Sequence, residues 1–389
     1  MTRLMTLLPM ACDSVGPSYT CTRLLQGMSR NSLSGPLFVN RVRTPLVGLD
    51  YRSSLPGPLA ALPYRFVANA ASRWTERRYL SAIGDGDIAY LWPAVSLRAY
   101  EAIRELGIPI VAEAINTRME YAREILDAAY AAEGLPPGHG ITDARIREEN
   151  EKLAMTSAIF APSVSVERSL QDAPVAPENV LPASYGVALE YPRPPRRAVP
   201  EAGPTVLFVG YGSIRKGLHQ LLRAWAMAGI RGKLVLAGKI EPALKQLCAD
   251  FLNRADVETL GFVHDVDALY ERADIFVLPS FEEGDPLVTY EAAAHGLPIV
   301  ASSIGAGRIG EETGCVIGVD PFDPETIAAA LQQLAGSADD MRDWGYRSRA
   351  AVADYDWSQV GGRRADQLAA HLGILDQRPR SSVSRPSAP

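Results

Sequence analysis

Cysteine is scarce and unpaired. The four cysteines, Cys12, Cys21, Cys248 and Cys315, lie far apart with no C-x-x-C spacing, so neither a zinc site nor a disulfide framework is encoded, and a reducing, cytosolic compartment fits best. Long apolar runs are missing too. No stretch approaches the roughly 18 to 20 residues that a membrane-spanning helix requires. A positive balance is also absent: 39 Lys+Arg against 45 Asp+Glu leave a net charge of -6, which argues against a nucleic-acid binder. No internal repeat of short period is visible, and His139 is the sole histidine before residue 200.

What is present describes a mildly acidic globular protein. With 389 residues, 47% hydrophobic and 22% charged, the chain is long enough for two or three units at about 150 residues per domain. The first twelve residues carry one positive charge and a short apolar run, like the start of a signal peptide or lipoprotein site. Pro9 interrupts that run and Asp13 ends it, so a first buried strand is the preferred reading.

The second half shows apolar runs at 205–210, 233–238, 257–262, 273–278 and 298–301, mostly without polar alternation, as strands buried on both faces require. Amphipathic stretches at 218–227, 242–254 and 288–295 suit crossover helices. The first half repeats the alternation, with candidate strands at 4–8, 36–39, 87–92, 108–112 and 158–162, and helices at 18–28, 72–82, 96–106, 118–131 and 143–156. Strand and helix in turn predict an α/β chain of two doubly wound, Rossmann-like domains facing across a cleft. The expected division is a first domain at 1–190, a proline-rich linker at 191–204, a second domain at 205–345, a terminal helical region at 346–377 packing back on the first domain, and a disordered tail at 378–389.

The densest chemical signal runs from Leu278 to Val300. A buried strand ends at Pro279, a loop holds Glu283 and Gly284, and Asp285 before Pro286 is the N-cap and N1 pair of a helix. A strand's carboxyl end meeting a helix N-terminus is where open parallel sheets bind ligands, and the free amides of Leu287 and Val288 suit a phosphate. Two carboxylates, Glu283 and Glu291, repel a phosphate, so hydroxyl groups of a sugar or ribose are their partners. Two glutamates on a solvated helix are the alternative.

With Ser280, Glu283, Gly284, Glu291, Ala292, Gly296 and Pro298 in register, the sequence resembles the family 4 glycosyltransferases, retaining enzymes of the GT-B fold, over roughly residues 205–334. Trp357 resembles the aromatic of their terminal crossing helix. The resemblance implies transfer of a hexose from a nucleotide diphosphate sugar to an acceptor hydroxyl, without cofactor or metal. It implies that Glu291 holds the nucleotide ribose and that Glu283 faces hydroxyls of the transferred sugar.

A second constellation, Gly210-Tyr211-Gly212-Ser-Ile-Arg215-Lys216-Gly217, links the second domain's first strand and helix. Its glycines allow close approach, and Arg215 and Lys216 bring positive charge to the phosphate edge. The family pattern has arginine where Tyr211 stands; Arg215 is the candidate replacement, a solvated surface arginine the alternative. Gly238 ends a strand and His264 follows one, both placed to touch a donor or to serve as plain loop residues. On the acceptor side, Gly16 follows the first strand, and Asn116, Thr117 and Arg118 follow another, lining the cleft or capping a helix. Asp85-Gly-Asp87 and Asp265-Val-Asp267 read as structural rather than as metal ligands.

The partners expected are a nucleotide sugar and a glycan, lipid-linked or small-molecule acceptor, and no nucleic acid. Nine arginines against Asp50 and Glu76 between Ser14 and Ile83 are usual for solvated helix faces but also suit an anionic acceptor or a lipid surface, which leaves a peripheral contact with the inner membrane face open beside a cytoplasmic location. The sequence leaves the donor, acceptor and oligomeric state undetermined. A sugar-nucleotide epimerase of similar fold and an inactive nucleotide-sugar-binding subunit are the competing readings.

Overall fold

The computed structural model describes residues 2–13, 15–29, 33–43, 45–55, 57, 62–189 and 202–374. The linker residues 191–201 and the tail 378–389 lie outside them.

Two parallel sheets organise the described chain. The first comprises β1 (Leu4–Cys12), β2 (Leu37–Val42), β3 (Tyr51–Ser53), β4 (Ile88–Leu91), β5 (Ile110–Glu113), β6 (Ala158–Ala161) and β7 (Val180–Pro182), in the order β3-β2-β1-β4-β5-β6-β7. The second comprises β8 (Thr205–Val209), β9 (Lys233–Ala237), β10 (Val257–Gly261), β11 (Ile275–Leu278), β12 (Ile299–Ala301) and β13 (Val316–Gly318), in the order β10-β9-β8-β11-β12-β13. Pairing between these strands is parallel throughout. Leu4–Cys12 lies inside its sheet, between β2 and β4, as an apolar run buried on both faces should.

The strand order reverses between β1 and β4 and again between β8 and β11. Crevices beyond the carboxyl ends of such strand pairs are the ligand sites of open α/β sheets.

Four features differ from the sequence reading. β3, β7 and β13 are edge strands of three residues each, too short to show a periodic signal. Val257–Gly261 is half exposed rather than buried on both faces, because it too lies at an edge. The single helix expected at 242–254 is two pieces, Pro242–Leu247 and Ala249–Leu252, broken where Cys248 leaves helical geometry at φ -110°, ψ 22°. Helices also form at Val164–Ser169, Ser303–Thr313 and Ala338–Ala351, which the periodicity did not reveal. Gly305-Ala306-Gly307 stand inside the second of these, where Gly307 breaks the helical path at φ 62°.

The chain ends by crossing back. Helix Trp357–His371 packs on helix Gly16–Ser29, with Trp357 edge-on to Tyr19 at 5.8 Å. The crossing is closest at two glycines: a Cβ added to Gly361 would lie 2.5 Å from the Gly27 Cα. One turn on, Arg364 is buried and binds the Glu113 carboxylate at 3.1 and 2.8 Å, and it donates to the Ser184 carbonyl. The terminal helix is thereby tied to the end of β5.

Candidate active site

Two loops meet at the second sheet's reversal point. One follows β8 and leads through residues 210–217 to helix Leu218–Ala228; the other follows β11 and leads through 279–286 to helix Leu287–Ala294. They abut so tightly that Gly217, at φ +67°, has room for no side chain: a Cβ there would stand 1.9 Å from the Pro279 carbonyl oxygen. The Phe281 amide donates to the Arg215 carbonyl at 2.8 Å, so the loops share backbone bonding as well. Gly210 packs beside the Lys216 stem, Gly238 stacks on the Gly210 carbonyl, and the Gly212 amide donates to Lys239.

The predicted cations and the first predicted glutamate come together here. Lys216 Nζ lies 2.5 Å from Glu283 Oε1, Arg215 Nη2 lies 3.2 Å from Glu283 Oε2, and Ser280 donates to Glu283 Oε1 at 3.0 Å. Burial would push the Glu283 carboxyl up, but Lys216 and Arg215 outweigh it and hold it below its ordinary value. Glu291 is placed differently. It is half-buried in the second turn of its helix and accepts from the Tyr270 hydroxyl at 2.9 Å, and burial raises its carboxyl. Leu287 and Val288 are the first two residues of that helix, half-buried at its N-terminus.

The first unit closes over this loop. Gly284 lies against the Ile115 backbone, Ser163 Oγ donates to the Gly284 carbonyl at 2.5 Å, and Arg215 Nη2 reaches Asn116 Oδ1 at 3.4 Å. Glu282, which the sequence reading passed over, is buried between the units. Its Oε1 accepts from the Thr117 amide at 3.1 Å and hydroxyl at 2.8 Å, and its Oε2 lies 2.7 Å from Arg215 Nε. The one signal for it was the Glu282-Glu283 doublet, of which only the second residue falls on the motif spacing. Behind the loop, Phe281 stacks on His219, whose imidazole burial pushes down to about 4. Next to it, Arg223 on the same helix grips Glu133 of the first unit at 2.6 Å through both nitrogens.

Other expected positions are corrected. Asp285 does not cap the helix, which begins at Leu287 behind an uncapped Pro286. Other donors take the carboxylate instead: the Tyr185 amide at 2.7 Å, the hydroxyl of Tyr290 on the helix itself at 2.7 Å and the Arg308 amide at 2.9 Å, in a setting whose burial raises its carboxyl to about 6. Arg118 does not line the cleft; its guanidinium is spent on Asn150, the Asp172 carbonyl and Glu120. Tyr211, at 51% exposure, projects into solvent.

His264 is exposed against Phe262, beyond the edge strand β10 and away from the reversal point. Gly16 opens its helix at an exposed position, with open space where a side chain would stand. Of the aspartate pairs, Asp87 is gripped by Arg3 at 2.8 and 2.6 Å, and Asp265 accepts from the Ala268 amide at 3.4 Å. Arg308 is buried and committed to the junction of the two units through the Ala161, Pro162 and Ala183 carbonyls, Glu167 and Glu312. Among the described residues no helix is long and apolar enough to cross a membrane.

Comparison with known proteins finds relatives of the second unit and of the whole fold. Residues 203–337 match the family described as glycosyl transferases group 1. An uncharacterised glycosyltransferase of Methanocaldococcus jannaschii is 36% identical over 169 residues, 40% of this chain and 42% of that protein. The D-inositol 3-phosphate glycosyltransferase of Thermobispora bispora is 29% identical over 260 residues, 60% of each chain. The chain thus spans about half the length of the curated relatives it matches.

Among solved structures, the sucrose-phosphate synthase of Thermosynechococcus elongatus superposes with a TM-score of 0.72 at 18% identity, covering 96% of this chain and 100% of that one. HepE of Anabaena, solved with UDP and glucose, gives 0.67 at 15% identity over 95% and 100%. Residues 203–337 are therefore similar to the group 1 glycosyl transferases, within a chain that has the two-domain GT-B fold.

Proposed function

We propose that this chain is a retaining glycosyltransferase that moves a hexose from a nucleoside diphosphate sugar to an acceptor hydroxyl. The observation that carries the reading is the meeting of Lys216, Arg215 and Glu283 beside a helix N-terminus at the sheet's reversal point. Bond breaking between the anomeric carbon and the phosphate oxygen leaves negative charge on the diphosphate. Lys216, Arg215 and the amides of Leu287 and Val288 are the groups to stabilise it. Glu291 accepts from the ribose hydroxyls, Glu283 accepts from hydroxyls of the sugar, and the departing phosphate takes the acceptor's proton as the new bond forms on the same face. The neighbour solved with UDP and glucose supports a donor of this class.

On this reading Glu291→Ala weakens nucleotide binding while Glu283→Ala mainly lowers kcat, because the first contact persists from ground state to transition state and the second group faces the sugar that develops charge. Calorimetric binding of UDP and GDP beside steady-state kinetics separates the two effects. Negligible change in both variants rejects the assignment. Product analysis separates transfer from its competitors: an epimerase leaves a free epimeric nucleotide sugar, and an inactive binding subunit leaves no product.

Two further expectations concern partners. Cationic side chains stand where a metal would otherwise balance diphosphate charge, so turnover survives EDTA; loss on chelation, restored by manganese, contradicts this. For a lipid-linked acceptor at an anionic membrane surface, helix Tyr64–Leu80 offers a suitable face: Arg65, Arg73 and Arg77 are exposed beside Phe66 and Trp74, with Glu76 turned inward to Ser96. Vesicles containing phosphatidylglycerol should retain the protein at low salt, and an Arg73→Glu/Arg77→Glu variant should lose that retention. Equal retention of both by neutral and anionic vesicles contradicts it.

A further inference from the structure

Glu282 is a buried carboxylate, with 3% side-chain exposure, whose two oxygens are divided between the two units. A charge in such surroundings persists only when its oxygens are filled. Oε1 is filled by Thr117 of the first unit, through amide and hydroxyl; Oε2 lies 2.7 Å from Arg215 Nε of the second, whose N–H donates to the Glu282 main-chain carbonyl at 3.1 Å. The rest of the guanidinium is turned outward. Nη2 reaches Glu283 and Asn116, while Nη1 has no protein partner among the described residues, and the side chain keeps 35% exposure. The Nε contacts with Glu282 and the Nη2 contact with Glu283 together orient the guanidinium toward the pocket that holds Glu283.

This arrangement depends on Thr117 being docked. When the first unit draws away, Oε1 loses both its donors beside an arginine whose fork suits bidentate binding of a carboxylate. Arg215 then gains more by turning its terminal nitrogens onto both oxygens of Glu282 than by presenting them to the pocket.

We propose that Glu282 is a positioning residue that couples docking of the first unit, through Thr117, to presentation of Arg215 at the donor diphosphate. The coupling rests on the reading above that this pocket receives a nucleoside diphosphate. It gives the chain a way to supply, only in the closed state, the positive charge that Tyr211 does not.

The test is a double-mutant cycle on diphosphate affinity, with UDP and GDP as probes, combined with amide exchange on the nucleotide-free protein. Thr117→Val keeps size and backbone amide while removing the hydroxyl donor, and it is expected to weaken diphosphate binding about tenfold in the wild-type background and not at all in the Arg215→Ala background. Glu282→Gln, which keeps shape but not charge, should act the same way. Multiplicative losses in the Arg215→Ala background overturn the proposal, because they mean that Glu282 and Thr117 act without Arg215.

Exchange of the Thr117 amide should rise at least tenfold in Glu282→Gln without nucleotide. Unchanged exchange overturns the coupling between the units even if affinity falls. Binding of neither probe by the wild-type chain overturns the diphosphate reading instead, and the exchange result then decides the clasp by itself. A merely structural role would lower the melting temperature of Thr117→Val and leave its diphosphate affinity intact.

Discussion

Lys216→Ala is expected to lower kcat/KM for any accepted nucleotide sugar by about 10²–10³, the usual cost of removing one preorganised charge from a developing anion. Two losses combine. The ammonium no longer meets the diphosphate, and Glu283, whose carboxyl is held below its ordinary value by Lys216 together with Arg215, loses the nearer of these partners at 2.5 Å. The second loss adds a pH signature: in the variant the Glu283 carboxyl titrates higher, so activity falls at higher pH on the acid side than in the wild type. A pH–rate profile alongside steady-state kinetics checks both. Wild-type turnover in Lys216→Ala means that the leaving group's charge is met elsewhere.

The second large effect concerns stability. Arg364→Ala removes one partner of a buried ion pair and leaves the Glu113 carboxylate inside without a cation, still accepting from the Tyr90 hydroxyl of the neighbouring strand at 2.5 Å. Breaking such a pair costs about 3–5 kcal/mol, whereas replacing both partners by apolar residues of similar volume is often close to neutral. Urea unfolding should therefore rank Arg364→Ala well below wild type, and the double variant Arg364→Met/Glu113→Leu above the single one. The reverse order contradicts the view that an uncompensated buried carboxylate is the source of the loss. Because Arg364 also ties the terminal helix to the first sheet, the single variant is expected to loosen the crossing at Gly27 and Gly361 as well.

Both sites show what a sequence reveals and what it conceals. The strand β11, the loop after it and the helix beginning at Leu287 were legible because their signals are local: an apolar run, a proline, and glutamates at fixed spacing on one short segment. Lys216 was legible for the same reason. Glu282 was not, since its partner Thr117 lies 165 residues away and no spacing rule joins them. Asp285 was misread because Asp before Pro is a good local helix start, yet the Tyr185 and Arg308 amides from elsewhere in the fold, with the Tyr290 hydroxyl of the helix itself, outbid the cap. Arg118 follows a strand end, as a cleft residue should, but the Asn150 and Glu120 side chains lie within its reach and claim it. Helix Ser303–Thr313 escaped because its glycines lower helix propensity, while packing against Leu278 and Asp285 holds it in place.

The central claim is that the pocket of Lys216, Arg215 and Glu283 transfers a sugar with retention. Incubating the full chain with UDP-, GDP- and ADP-hexoses and simple glycoside or polyol acceptors, and following the anomeric proton by NMR, tests it most directly. Nucleoside diphosphate is expected in step with a glycoside whose anomeric configuration matches the donor's, formed about 10²–10³ more slowly by Lys216→Ala. An inverted anomer, a free epimerised nucleotide sugar, or tight donor binding with no product across the panel would contradict it.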